Sequence, residues 1–348
     1  MGAGLGPFDE FLRHGDVALV SCCNVGHDDS RYSVAVVTAK GIDWLDLDAA
    51  IEPVRDKGVT GIAASSDHCF LAVPGVNERL ISLDSRLRPV DVFTCEKGRD
   101  IHSLAVHDGR LYFAATGCNQ VLSVGCAAGK FSGPEQVHVT CQSAAEDLVH
   151  LNSLLIDEKG SLLFSMFGVG PRSQERDQGA VVDVRSGEAL IEGLMDPHSL
   201  TRLPDGRIAM CESMQSALCI VEPTTCLVTR VGLRGYTRGI AHTGRHLVVG
   251  ASHWRSRSRS STQMRGLPSF ASSGQQNHSA AHSYLFVLRE DLSVANTIDF
   301  TPYASEIYDV VFLGSRFQPA SVFKQAVQRR KQVQKSRWPR GLMQVLRA

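Results

Sequence analysis

The amino-acid sequence predicts an all-β fold: a six-bladed β-propeller closed by pairing between the first and last strands of the ring. Three observations predict this fold: a repeated motif, the regular spacing of its copies, and incomplete sets of strands at the two ends of the repeat region. The motif is a polar, a small and an aliphatic residue, followed by a turn and a second hydrophobic run. Its five copies begin at Thr60, His102, Asn152, His198 and Arg238. They lie 42, 50, 46 and 40 residues apart, a period typical of propeller blades.

Each full repeat contains four strand-like segments. In the repeat that begins at His102, the first strand ends at Asp108-Gly109, a dipeptide favoured in tight hairpin turns. Residues 110–115, 120–124 and 137–139 follow as the other three strands. Between turns, β-branched and aliphatic residues alternate, which predicts strands rather than helices.

The two ends of the repeat region complete a sixth blade. Residues 17–23, 33–39 and 41–47 predict three strands with no first strand before them, and residues 307–312 predict a first strand with none after it. Pairing the two ends closes the ring and removes an exposed sheet edge. The chain then divides into a lead-in of residues 1–16, a propeller of residues 17–314 and a tail of residues 315–348. Rings of five or seven blades are the alternatives.

Two segments depart from the repeat. Residues 253–283 are rich in Ser, Arg, Gln and Gly, a composition that cannot bury a core, so we predict a long loop. Residues 315–348 carry nine Lys or Arg and no acid, whereas the remainder has 27 basic and 36 acidic residues. We predict a short basic helix in this tail. It could dock on the acidic body, stay solvated, or bind an anionic surface or protein partner.

The composition also bears on location. No stretch is long and apolar enough for a transmembrane helix, and residues 1–16 lack the basic start of a secretory signal. The ten cysteines are scattered without any CxxC pair, which predicts buried free thiols in a reducing compartment. These features together predict a cytoplasmic protein.

The polar starts of the innermost strands predict a ligand site, because those strands line the central channel and begin at the same mouth. Buried polar groups are costly unless they are paired, so several at one level favour a bound molecule. We expect a small anionic or polyhydroxylated ligand, with Arg238 pairing with a carboxylate or phosphate. The candidate ligand-binding residues are His102, His150, Asn152, His198, Arg238 and Tyr308.

Catalysis and metal binding remain open from the sequence. His102 and His198 are the candidates for a general base. A divalent metal could be held by Asn152, Glu212 and Asp309. No nucleophile motif, Gly-rich phosphate loop or dinucleotide fingerprint indicates a particular reaction. Three functions stay in contention: ligand binding at the mouth, metal-dependent hydrolysis, and a protein-interaction scaffold.

Four segments carry a family resemblance. They are His150-Leu151-Asn152-Ser153-Leu154, Pro197-His198-Ser199-Leu200, Gly235-Tyr236-Thr237-Arg238-Gly239 and Ile307-Tyr308-Asp309-Val310. In this order they resemble the His-Leu-Asn, Pro-His-Ser, Gly-Tyr-Thr-Arg-Gly and Phe-Asp-Val elements of a bacterial family of conserved hypothetical propeller proteins. That resemblance implies the fold and the position of the site, and it transfers no activity. More distantly, the architecture is similar to that of gluconolactonase and strictosidine-synthase propellers. Gluconolactonase-type enzymes hold a divalent metal with Glu, Asn and Asp at this mouth, which implies a metal-binding role for Asn152.

Overall fold

The protein is a ring of six four-stranded antiparallel sheets, as seen in a computed structural model, and this confirms the predicted fold. The structure describes residues 8, 11–23, 32–47, 58–75, 77–142, 147–168, 178–253 and 282–319. Most of the Ser/Arg-rich loop and the tail beyond residue 319 therefore lie outside the described residues.

The strands follow the predicted repeats closely. In chain order they are β1 (Val17–Cys22), β2 (Val34–Thr38), β3 (Gly41–Leu45), β4 (Ile62–Ala64), β5 (His68–Val73), β6 (Arg79–Asp84), β7 (Pro89–Thr94), β8 (Ile101–His107), β9 (Arg110–Ala115), β10 (Gln120–Gly125), β11 (Ser132–Thr140), β12 (Leu151–Ile156), β13 (Leu162–Met166), β14 (Gly179–Asp183), β15 (Ala189–Leu194), β16 (Pro197–Arg202), β17 (Ile208–Glu212), β18 (Ala217–Val221), β19 (Val228–Gly232), β20 (Tyr236–His242), β21 (Leu247–Ser252), β22 (Tyr284–Leu288), β23 (Val294–Asp299) and β24 (Ile307–Gly314).

Five blades consist of four consecutive strands each, from β4–β7 to β20–β23. The sixth has the order β24-β1-β2-β3, so the last strand of the ring pairs with the first. In that pair Val20 lies opposite Val310, and Leu19 lies opposite Val311. The predicted closure between the terminal strands is therefore confirmed.

The core lies between blades, and strand alternation divides each strand between two neighbours. In β1, Val17 and Leu19 join a cluster with residues of β4–β6, whereas Ala18 and Val20 join a cluster with residues of β20–β22. The closing blade is thus packed on both sides, and opening the ring would expose both clusters to water.

Six side-chain hydroxyls connect each blade to the next around the ring. Each donates a hydrogen bond, at 2.5 to 3.1 Å, to a backbone carbonyl at or just before the start of the next innermost strand. The pairs of this hydroxyl ring are Ser21–Thr60, Thr60–Ile101, Thr116–Leu151, Ser165–Pro197, Ser213–Thr237 and Ser252–Ile307. The hydroxyl ring holds the starts of the innermost strands at one level, and these starts carry the candidate site.

All ten cysteines are free thiols, and most of them are buried, as predicted. Burial raises the pKa of the Cys126 thiol to about 11 and that of Cys219 to about 12. These thiols are therefore protonated and inert at neutral pH. Within the described part of the chain, no helix has the length and apolar character needed to cross a membrane.

Candidate functional site

The candidate residues sit where the innermost strands are irregular. Along β8 the pairing with β9 passes from Ile101 to Ser103 and leaves out His102, and along β24 it leaves out Tyr308 in the same way. Such a β-bulge re-aims a side chain relative to the regular ladder. In β16 and β20 the irregularity comes one step later, because the residues left out of the pairing follow His198 and Arg238.

The small residue of the motif allows close contact between neighbouring blades. Gly239 follows Arg238 with a φ of 73°, and a Cβ placed there would lie 2.7 Å from the backbone nitrogen of Val310 in the next blade. Only glycine adopts this conformation without strain and also leaves that space.

A cavity of about 100 Å³ lies in the channel beneath these bulges. Five candidate residues line it: His102, Asn152, His198, Tyr308 and Asp309. The small motif residues Ser103, Ser153 and Ser199 complete much of its wall, together with aliphatic side chains such as Leu154. The structure thus brings most of the predicted site together in one space.

Above this cavity, seven side chains form a closed circle that we call the mouth ring. Its members in order are Tyr308, His102, His150, Phe167, His198, Tyr236 and Arg238. Neighbouring aromatic rings have centroids 4.4 to 5.6 Å apart. The Arg238 guanidinium closes the circle, 4.6 Å from the Tyr236 ring and 5.1 Å from the Tyr308 ring. Aromatic and cation–π contacts of this kind hold each ring against its neighbours.

Arg238 is buried, and its charge is already paired. Its Nη1 lies 3.4 Å from Oε1 of Glu306, which is buried as well. Its Nε is buried and has no hydrogen-bond partner among the described residues. An incoming anion would therefore have to share Arg238 with a carboxylate.

His198 is held in a defined protonation state. Its Nδ1 lies 2.9 Å from the carbonyl oxygen of Asp196 and 2.8 Å from Oγ of Ser213. Burial, and next the positive charge of Arg238, lower its pKa well below the usual value for histidine. The ring is therefore neutral at physiological pH, although His198 lines a polar cavity.

The other two histidines of the mouth ring each lie beside an aspartate. Nδ1 of His150 is 2.7 Å from Oδ2 of Asp147, and Nε2 of His102 is 3.6 Å from Oδ2 of Asp100. Nδ1 of His102 also lies 3.2 Å from Nδ2 of Asn152, which links His102 to the floor of the cavity. These contacts orient both imidazoles.

Asp309 occupies the position that Gly or Ser holds in the other repeats. Oδ2 accepts a hydrogen bond from Ile62 N at 3.0 Å, and Oδ1 accepts one from Val310 N at 2.9 Å. The side chain lines the cavity, and its carboxyl group is largely enclosed by protein. This enclosure raises its pKa to about 7, because removal from water disfavours the charged form.

Glu212 lies elsewhere, in contrast to its predicted place beside Asn152. It is buried, Oε1 accepts a hydrogen bond from Met195 N, and Oε2 pairs with Nε of Arg230 at 2.7 Å. As the last residue of β17 it shares a strand face with Met210, so alternation directs it between blades rather than into the channel. Among the described residues, no three His, Cys, Asp or Glu side chains are arranged to hold a metal ion.

The sequence analysis did not identify Phe167, Tyr236 or the aspartates beside the mouth histidines, which are Asp100, Asp147 and Asp196. Tyr236 precedes Arg238 by two positions, which places both on one side of a strand, and this spacing could have identified it. Asp100 and Asp196 each precede a mouth histidine by two residues, a repeated Asp-x-His spacing. Phe167 follows β13 without any comparable signal. Thr60 aligns with the candidates, but its hydroxyl belongs to the hydroxyl ring.

A family comparison matches a domain of unknown function, DUF4915, over residues 84–322. The chain belongs to the DUF4915 family. The matched region contains every member of the mouth ring, and it confirms the resemblance to a family of propeller proteins without an assigned role. No curated protein matches the chain.

Solved structures similar to this DUF4915 protein are propellers of low sequence identity. A chain of a nidogen/laminin complex has a TM-score of 0.59 and 9% identity, covering 86% of this chain and 99% of that one. A protein of unknown function from Bacteroides caccae has a TM-score of 0.55 and 10% identity, covering 85% and 98%. A catalytically inactive virginiamycin B lyase from Staphylococcus aureus with quinupristin has a TM-score of 0.50 and 11% identity, covering 88% and 94%. At these identities the similarity shows the fold alone.

Proposed function

We propose that this DUF4915 protein binds a small polar molecule, neutral or anionic, at the mouth of its channel. The observation that carries the proposal is the mouth ring itself, a closed circle of aromatic and charged side chains directly over a polar cavity. Pockets that combine aromatic walls with a few placed polar groups are typical of small-molecule sites.

The size of the cavity supports a ligand that enters only in part. A volume of about 100 Å³ is several times the roughly 10 to 15 Å³ that one water molecule needs in a cavity, so it has room for one end of a small molecule. The rest of the ligand would lie on the mouth ring. There the faces of Phe167 and Tyr236 would cover its less polar surface.

Polar contacts for the entering end come from Asn152 and His198, both buried and both lining the cavity. Arg238 would contribute to a ligand that carries a carboxylate or phosphate, in competition with Glu306. The buried polar groups of Asn152 and His198 give specificity, because a ligand that leaves them without hydrogen bonds binds much more weakly.

Hydrolysis is a second candidate function, favoured by the Asp147–His150 pair. A carboxylate 2.7 Å from Nδ1 is the arrangement that orients a histidine as a general base. A divalent metal would have to use Asn152 and Asp309 without Glu212. Metal analysis of the purified protein by mass spectrometry tests this route: one equivalent of a divalent ion that is lost in Asn152→Ala would favour it.

The proposal is tested by a thermal-shift screen with neutral sugars, polyols, sugar acids and sugar phosphates, followed by calorimetric titration of each hit. Asn152→Ala should weaken binding about tenfold or more, the cost of one buried hydrogen bond. The matched control is Asn296→Ala on β23, outside the mouth, which should bind as the wild type does. Hits that bind equally to both variants would place the site elsewhere and contradict the proposal.

A further inference from the structure

Two polar side chains that line the cavity, those of His198 and Asn152, have their hydrogen-bonding roles fixed by neighbouring groups. We infer that the mouth selects a neutral ligand that donates hydrogen bonds through hydroxyl groups, rather than an anion or an ammonium ion. The inference rests on the proposed function and names the ligand class for that same site. It follows from the fixed tautomer of His198, the orientation of Asn152 and the charges around Arg238.

His198 offers the cavity a hydrogen-bond acceptor. A carbonyl oxygen can only accept, so the contact between Nδ1 and the carbonyl of Asp196 requires that Nδ1 carry the hydrogen. The hydroxyl of Ser213 donates to the carbonyl of Thr237 at 2.6 Å, so toward Nδ1 it is an acceptor too. In the neutral ring Nε2 then has no hydrogen, and a ligand atom that meets it must donate.

Asn152 is oriented by the same reasoning. In the neutral form of His102, the carboxylate of Asp100, 3.6 Å from Nε2, favours a hydrogen on that nitrogen and leaves Nδ1 as an acceptor. The amide NH₂ of Asn152 lies 3.2 Å from this Nδ1 and donates to it. Its oxygen is then the amide atom best placed to serve a ligand, and it also accepts.

Charge disfavours both kinds of ion at this position. A carboxylate or phosphate would bring further acceptors against His198 and Asn152, while the cation beside them, Arg238, is already paired with Glu306. Even with Glu306 beside it, Arg238 lowers the pKa of His198, and the same positive charge would repel a ligand ammonium placed next to that ring. A hydroxyl group avoids both penalties, because it is neutral and donates.

The first measurement needs no ligand. In the full-length protein labelled with ¹⁵N-histidine, long-range ¹H–¹⁵N spectra distinguish the two neutral tautomers from the charged ring. His198, assigned by the signal that disappears in His198→Phe, should remain in the neutral Nδ1–H form as the pH falls through the usual range of histidine titration. A charged ring or the Nε2–H tautomer in this range would overturn the inference.

The second measurement compares ligands that share one skeleton: glucose, glucuronate and glucosamine, and in parallel myo-inositol and inositol 1-phosphate. Saturation-transfer NMR should show the neutral member of a set binding best, and His198→Phe should weaken it about tenfold. The control is His242→Phe, at the other end of β20, which should leave binding unchanged. Preference for an acid, a phosphate or the amine would overturn the inference while the proposed function stands. Absence of binding throughout would contradict the proposed function, and the tautomer measurement would still decide the state of His198.

Discussion

Replacing Ser252 by alanine tests whether the hydroxyl ring holds the closed propeller together. Ser252 ends β21, and its Oγ makes two hydrogen bonds to Ile307, the first residue of β24. It donates to the carbonyl of Ile307 at 3.1 Å and accepts from its N–H at 2.9 Å. Both residues are buried, so Ser252→Ala leaves two backbone groups without these partners in the closing blade.

The size of the effect follows from the cost of unpaired groups. A buried donor or acceptor that loses its partner costs about 1 to 3 kcal/mol. The N–H has a single bond to lose, whereas the carbonyl has a second lone pair, so the two costs are unequal. We expect the free energy of unfolding to fall by about 2 to 4 kcal/mol.

Urea unfolding followed by far-UV circular dichroism measures this difference. The control is Ser66→Ala in an exposed turn, which should change the free energy of unfolding by less than about 0.5 kcal/mol. A loss in Ser252→Ala no larger than that of the control would refute the idea that these hydroxyls tie the blades together.

Three further predictions concern the channel and its surroundings. The raised pKa of Asp309 means that the native state keeps a proton that the unfolded chain has released, so stability falls as the pH rises from about 4 to about 7. The free energy of unfolding should fall by on the order of 4 kcal/mol over this range, and the fall should be absent in Asp309→Asn. Urea unfolding midpoints measured between about pH 4 and about pH 7 test this. Glu212→Gln should lower the free energy of unfolding by about 1 to 3 kcal/mol, because the carboxylate of Glu212 pairs with Arg230. Ligand affinity should not change, and weaker binding measured by calorimetry would contradict the position of Glu212 outside the channel. Gly239→Ala should lower the free energy of unfolding by more than about 1 kcal/mol. The control is Gly232→Ala, where a Cβ meets nothing within 4 Å and stability should not change. Equal melting temperatures of the two variants would argue against close contact between blades at Gly239.

The fold could be predicted because its signals are local and repeated. Turn dipeptides such as Asp108-Gly109 and alternating strand residues recur at one period, so each copy supports the others. Five of the eight candidate site residues reach the cavity, because they lie at or next to the motif position on innermost strands whose pairing is irregular there. His150 and Arg238 belong to the mouth ring together with three of these five residues, which are His102, His198 and Tyr308.

The parts that could not be predicted depend on side chains that meet only after the ring closes. Glu212 is the last residue of β17, where one step of strand alternation decides between the channel and the space between blades, and its partner Arg230 comes from another strand. Pairing of Arg238 with Glu306 joins residues far apart in the chain, and no short motif encodes it. The anionic ligand expected from Arg238 alone therefore loses support once Glu306 is in place.

A crystal structure with the best-binding compound of the matched sets will decide whether the cavity beneath the mouth ring is a ligand site. We expect electron density between Asn152 and His198, with a ligand hydroxyl within hydrogen-bond distance of Nε2 of His198. Density on an outer blade surface, or a carboxylate or phosphate group against Nε2, would contradict it.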